Sequence, residues 1–249
     1  MIWIGTSGWA YPHWQGRFYP ADLRPAEQLT YYARHFPTVE INGSFYRQPD
    51  REQFAAWARQ VQAVNPQFCF AVKASRYLTH LKKLLDTDSG ISRMMDAVGG
   101  LGTALGPLLF QLPPHWHANA ERLERFVAAL PSGQAYAFEF RDPSWYQPAI
   151  SHILEDDGCV LVIPIAGDDP MPRSLPLLGP FAYLRFHFGA HGTGFDDDEL
   201  RFWADRLAAE ASDHRDIYVF FNNDPDGHAL VDAERLHILL KGRVPLAGR

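Results

Sequence analysis

Cysteine is scarce: only Cys69 and Cys159 occur in 249 residues, and both fall in apolar runs. Two thiols build no disulfide framework, so both are expected as reduced core side chains. Lysine is almost as rare, confined to Lys73, Lys82, Lys83 and Lys241. Nor is there an excess of positive charge. A net charge of −6 excludes an overall electrostatic footprint for nucleic acid, though not a local one. No apolar run approaches the ~20 residues of a membrane span. The start, "MIWIGTSGW", lacks a basic region leading into an apolar one, so neither a membrane nor a secretory signal is expected and the protein reads as cytoplasmic.

Familiar chemical motifs are missing as well. "GGLGTALG" places Leu105 where the last glycine of a dinucleotide fingerprint should stand. "GTSGW" ends in Trp9 rather than the glycine of a nucleophile elbow, which leaves Ser7 weak as a nucleophile. Counted from Asn222, "NNDPDGHALVDAE" has Gly227 correctly at the sixth position of a calcium loop but Ala233 at the twelfth. His115 and His117 in "PPHWH" are two ligands where a structural metal site wants four. No cofactor and no metal is assigned, and the oligomeric state is not legible.

What is present is a regular alternation. Strand-like segments fall at 2–6, 38–42, 68–73, 108–112, 136–141, 159–163, 182–187 and 217–222, most of them separated by helical patterns. Pro25 suits a first helical turn, and Asp50 with Gln53 forms a capping-box pattern before "REQFAAWARQV". Asn119 is placed to cap "AERLERFVAAL", Asp196 with Glu199 to open "LRFWADRLAAEA", and "HALVDAERLHILL" is the last helix. The connection from 75 to 106 is long enough for more than one helix, whereas the Pro-rich stretch 167–180 shows none. Strand–helix repetition implies a parallel sheet. Eight units in one domain spanning 1–249 fit a TIM-type (β/α)8 barrel with an irregular or missing helix after strand six. The alternative is a doubly wound open sheet, for which the turn after strand one, "GTSGWAYPHW", is not glycine-rich in the required way.

Charge inside the strands points to a site. In "YAFEFRDPSW", Glu139 and Arg141 share one face of a strand whose other face carries Phe138 and Phe140. Glu40 and Asn42, Lys73 and Ser75, and Arg185 and His187 repeat the pattern, and Gln111 stands opposite Phe110 and Leu112. Alternate residues of a barrel strand face inward, and functional groups gather at the C-terminal end. The loops that follow add Trp9, Tyr11, His13 and Trp14; Phe45, Tyr46 and Arg47; Arg76 and His80; and Trp145. Arg47, Lys73, Arg76, Arg141 and Arg185 would concentrate positive potential at one opening, suited to phosphate or carboxylate. Aromatic faces suit a sugar or nucleobase ring. The competing possibility is an ion-paired plug with no ligand.

Six stretches, "IGTSGWAYPHWQGRFYP", "FPTVEINGSFYR", "FAVKASRYLTH", "LLFQLPP", "AFEFRDPSW" and "VFFNND", together resemble the YecE-like family, domain of unknown function 72, over essentially the whole chain. The resemblance implies a TIM-barrel-like fold and no established reaction. Strand seven reads "LRFHFG" where many members have a sequence closer to "RLHG", and Pro164 and Ile165 precede Asp168 where an Asp commonly ends strand six.

These features set the expectations. The first is an enzyme, of hydrolase or lyase type, for an anionic ring-bearing substrate such as a sugar phosphate, nucleotide or nucleic-acid end. Glu40, Glu139 and His187 are its acid/base candidates, the two glutamates as a pair of the glycosidase kind if their spacing allows. Arg47, Lys73, Arg76, Arg141 and Arg185 are assigned to the anion, Asn42, Gln111 and Asn222 to orientation, and Tyr46 and Trp145 to the ring. Lys73 is expected to pair with Glu40 or Glu139, the alternative being a Schiff-base amine. A non-catalytic module that senses an anion, and a nucleic-acid repair barrel by fold analogy, stay open beside the enzyme.

Overall fold

Eight apolar segments become the staves of one closed parallel barrel in chain order: β1 (Ile2–Ser7), β2 (Thr38–Ile41), β3 (Cys69–Lys73), β4 (Leu105–Gln111), β5 (Tyr136–Glu139), β6 (Val160–Ala166), β7 (Phe181–Phe188) and β8 (Asp216–Phe221). The computed structural model describes residues 1–211 and 215–248. Closure comes from β1, which pairs with β2 from Gly5 onward and with β8 from Ile2 onward. That stagger leaves Ile2 without a β2 partner. The chain's end covers it: Ile2 N–H donates to Pro245 O at 3.0 Å and Ala247 N–H to Ile2 O at 2.9 Å.

The helices are α1 (Gln28–Ala33), α2 (Arg51–Gln62), α3 (Ser89–Val98), α4 (Ala120–Ala128), α5 (Pro148–Asp156), α6 (Met171–Ser174), α7 (Asp197–Glu210) and α8 (His228–Leu240). Their starts follow local chemistry. Asn119 accepts from Arg122 N–H, and Asp196 and Glu199 form a reciprocal capping box. At α2 only half of the expected box forms, with Asp50 accepting from Gln53 N–H. The connection after β3 holds a π turn at Tyr77–Leu81, α3 and a 3-10 segment, as its length required. After β6 the helix shrinks to the four residues of α6. Arg206 of α7 anchors this stretch by donating to the carbonyls of Pro172 and Arg173 at 3.0 and 3.1 Å.

Two apolar clusters divide the interior. The larger lies between barrel and helices. The smaller fills the barrel itself and includes Cys69, Ala71, Ala137, Val162, Phe181, Tyr183, Tyr218 and Phe220. Small side chains on β3 and β5 leave room for the rings of Tyr183 and Phe220, 5.2 Å apart. Both cysteines are buried free thiols. No helix among the described residues is long and apolar enough to cross a membrane.

Candidate functional site

Strand alternation brings Glu40 (β2), Glu139 (β5) and Arg185 (β7) to the same level above this apolar floor, all essentially without solvent exposure. Arg185 spans the carboxylates. Its Nη2 donates to Glu40 Oε1 at 2.8 Å and its Nη1 to Glu139 Oε2 at 2.6 Å. Ser7 Oγ adds a hydrogen bond to Glu40 Oε1 at 2.7 Å, and Tyr183 donates its hydroxyl to Glu40 Oε2 at 2.5 Å. Burial by itself would raise the Glu40 carboxyl, but Arg185 and the hydroxyls outweigh it and hold it below the usual range. Glu139 is lowered further, burial being overcome by Arg185, His187 and Arg141. Pairing and hydrogen bonding together offset most of the price of removing these charges from water, with Arg185 Nε left without a partner among the described residues.

This geometry corrects the acid/base reading of the glutamate pair. One guanidinium fills the space between the two carboxylates, so no glycosidic bond or attacking water fits there. Both are held ionised and unable to donate a proton at neutral pH. Glu40, sealed on both oxygens, is an anchor for Arg185.

Glu139 carries the next layer. Arg141 Nε meets its Oε1 at 2.6 Å, and His187 Nε2 lies 3.2 Å from the same oxygen. Asn222 Nδ2 donates to His187 Nδ1 at 3.2 Å, which puts the ring proton on Nε2, facing Glu139. Burial lowers the His187 pKa, with Glu139 opposing, so the imidazole is neutral at pH 7. Asn42 Nδ2 reaches Asn222 Oδ1 at 3.5 Å, while nothing among the described residues pairs with Asn42 Oδ1. Gln111 ends β4 half-buried.

Lys73 departs from expectation. Among the described residues no carboxylate lies within salt-bridge reach of its ammonium, because Arg185, Arg141 and His187 already occupy Glu139, and Arg185, Ser7 and Tyr183 occupy Glu40. Its Nζ sits 4.3 Å from the centroid of the Phe45 ring. Burial, then Arg185, lowers its pKa to about 8 against the pull of Glu40 and Glu139. His80 packs edge-on to the same Phe45 ring at 4.8 Å, and burial, Lys73 and Arg76 lower its pKa.

Around this lie the exposed side chains of Arg47, Arg76 and Tyr46, the last 77% exposed. Trp145 is not at the opening. It is 1% exposed, stacks on Phe140 with centroids 4.8 Å apart, and donates its indole N–H to Trp116 O at 2.6 Å. It wedges the loop after β5 against the barrel and presents no face to a ligand. Trp14 is buried likewise and donates to Asp224 Oδ1 at 2.7 Å. After β1 the chain turns at Gly8 (φ 92°), where a Cβ would stand 2.8 Å from the Tyr11 hydroxyl; this close approach lets Tyr11 donate to Ser7 O at 2.5 Å. Asp168 stands two residues beyond the end of β6 and is exposed.

Two members of the network were not singled out as site residues by parity. Tyr183 shares the inward face of Arg185 and His187, a signal hidden by its aromatic character. Ser7 is the last residue of β1, and its hydroxyl is engaged by Glu40 instead of poised for attack. Among the described residues no group of three or more His, Cys, Asp or Glu side chains is arranged to hold a metal ion, and His117 instead approaches Asp142 at 3.5 Å.

Comparison with known proteins agrees with this architecture. The chain is 27% identical to the UPF0759 protein YunF of Bacillus subtilis over 276 residues, covering 96% of this chain and 95% of that one. It is 28% identical to the UPF0759 protein YecE of Escherichia coli K12 over 147 residues, 59% of this chain and 50% of that one. A DUF72 family crystal structure from Thermotoga maritima superposes with a TM-score of 0.82 at 26% identity, covering 97% of this chain and 99% of that one. One from Enterococcus faecalis shares the fold, with a TM-score of 0.77 at 20% identity over 96% and 95% of the two chains. The profile of the family described as "Protein of unknown function DUF72" matches residues 3–247, from the second residue of β1 to the segment that covers it, and the chain belongs to that family.

Proposed function

We propose that the C-terminal mouth of the barrel binds an anionic, ring-bearing small molecule, of the class of sugar phosphates, nucleotides or nucleic-acid ends, and that the protein is an enzyme acting on it. The observation that carries this reading is the half-used Arg141. Glu139 holds its Nε and His187 Nε2 lies 3.2 Å from its Nη2, yet 36% of the side chain is exposed, so a guanidinium anchored on a buried carboxylate keeps part of its surface in reach of a ligand. A plug would bury both partners and leave no cation at the rim.

Arg141, with Arg76 and Arg47, supplies charge for the anion. Asn42, whose Oδ1 is buried and unpartnered, offers an acceptor, and Asn222 and Gln111 extend the polar rim. Tyr46 and Phe45 offer ring faces. Of these residues Asn42 also lines a cleft of about 330 Å³, shared with Trp9, Tyr11 and Trp57. His187, neutral and backed by Glu139, is the group suited to move a proton, while Glu40 and Arg185 hold the frame rigid.

Thermal-shift screening with phosphorylated sugars, nucleotides and single-stranded DNA tests the reading. A ligand class that raises Tm in the wild type and fails with Arg141→Ala supports it, and turnover of that ligand separates an enzyme from a sensing module. Equal shifts in both proteins would end it.

A further inference from the structure

We propose that Lys73 is a carbonyl-reactive amine, so that the molecule bound at the mouth is an aldehyde or ketone carrying an anionic group and is held as an imine on Lys73 Nζ. This deepens the reading above and rests on it for the location of the ligand.

The reason lies in what Lys73 lacks. A lysine on the inner face of a barrel strand, beside two ionised glutamates, would ordinarily form an ion pair with one of them. Here both carboxylates are occupied by Arg185, by two hydroxyls on one side and by Arg141 and His187 on the other. The amine is instead half-buried over the apolar Phe45 ring. Desolvation next to another cation is how proteins keep a lysine amine unprotonated, and the guanidinium of Arg185 is that cation. The Phe45 ring face is the contact that remains to the ammonium among the described residues, and a desolvated amine without an anionic partner is the setting in which a lysine acts as a nucleophile.

In the reaction the Nζ lone pair attacks the carbonyl carbon, forming the C–N bond. The carbonyl oxygen then leaves as water with the two hydrogens of the amine, and the imine nitrogen stays bound to carbon. The neutral rings of His187 and His80, at the same opening, are the groups available to relay those protons, and Arg141 and Arg76 receive the anionic group. No oxidant, reductant or further reactant is needed.

Pyridoxal 5′-phosphate, an anionic ring-bearing aldehyde, is a suitable probe, and the scarcity of lysine makes the experiment clean. The full chain is treated with it at pH 7.5, reduced with borohydride and mapped by peptide mass spectrometry, with Lys82, Lys83 and Lys241 as internal references. At that pH an amine with a pKa of about 8 holds on the order of 100 times more free base than an ordinary lysine. Lys73 is therefore expected to be labelled at least about tenfold faster than the other three, a margin that allows for the lower intrinsic reactivity of a less basic amine. Arg141→Ala should slow this labelling by the phosphorylated aldehyde more than by an uncharged one such as benzaldehyde, the smaller common loss coming from the rise in the Lys73 pKa when the neighbouring guanidinium is removed. Labelling of Lys73 no faster than Lys241 with either aldehyde would overturn the proposal, while leaving anion binding by thermal shift to stand or fall separately. Fast labelling by both aldehydes that ignores Arg141 would keep the amine and remove the anion-binding reading.

Discussion

Glu139, the last residue of β5, and Arg141, two residues further on, meet through Oε1 and Nε at 2.6 Å with the carboxylate fully buried and the guanidinium partly in solvent. The strand ladder ends at Glu139, so Arg141 is free to lean back over its neighbour. Two charges can therefore share one core-facing row. The inner one is neutralised from below by Arg185, and the outer one reaches the surface.

Arg185 holds two buried carboxylates apart. Replacing it with Met leaves both uncompensated and is expected to cost about 3–5 kcal/mol, read from the urea midpoint and slope. Adding Glu40→Gln and Glu139→Gln to the same chain should recover most of that loss. A single Arg185→Met variant as stable as the wild type would contradict the frame.

The pH dependence has two arms of different sign. Glu40 and Glu139 bind protons more weakly folded than unfolded, so their stabilisation is complete above the ordinary carboxyl value of 4.5 and is lost as pH falls below it. Lys73 is the reverse case of a cation disfavoured by folding. Between its folded pKa of about 8 and its ordinary 10.5 the unfolded chain binds more protons, and stability gained from this group rises with pH. Urea titrations from pH 8 to 10 should show a positive slope in the wild type relative to Lys73→Met. Parallel curves would mean that the amine is solvated.

Tyr183→Phe removes one hydroxyl donor from a buried carboxylate and nothing else. The expected loss is about 1–3 kcal/mol, with the Glu40 titration moved upward. A loss below a few tenths of a kcal/mol would show that Tyr183 is dispensable to the anchor.

Trp145→Phe retains the stack on Phe140 and loses the N–H bond to Trp116 O. A stability loss of about 1–3 kcal/mol is expected with ligand affinity unchanged within about twofold. Loss of affinity without loss of stability would return Trp145 to the site.

Much of the barrel was legible because β-strand period and helix period differ, and each shows in short windows. The misses have local causes. β4 begins at Leu105 rather than at 108, since Gly106 and Pro107 read as breakers; Gly106 lies where a Cβ would be 2.2 Å from Cys69 Sγ, a close approach only glycine allows. β6 runs through Pro164 to Ala166 for a similar reason. In the site, parity was enough to bring Glu40, Glu139, Arg185 and His187 to one place, because inward alternation is a backbone property. The pairing of Lys73 was not legible, because it depends on which of several cations wins each carboxylate, and only side-chain geometry decides that. Trp145 shows the limit for loops: an aromatic residue after a strand packs inward or faces out according to contacts such as Phe140 and Trp116, which lie elsewhere in the chain.

Native mass spectrometry of gently purified protein, set beside the same protein denatured and beside Arg141→Ala, tests the anion-binding mouth most directly. We expect wild type, supplied with the ligand class found by thermal shift, to carry a mass excess that disappears on denaturation and is lost or strongly reduced in Arg141→Ala. An excess retained equally by the variant, or a metal-sized excess alone, would contradict a mouth built on Glu139 and Arg141 to hold an anionic molecule.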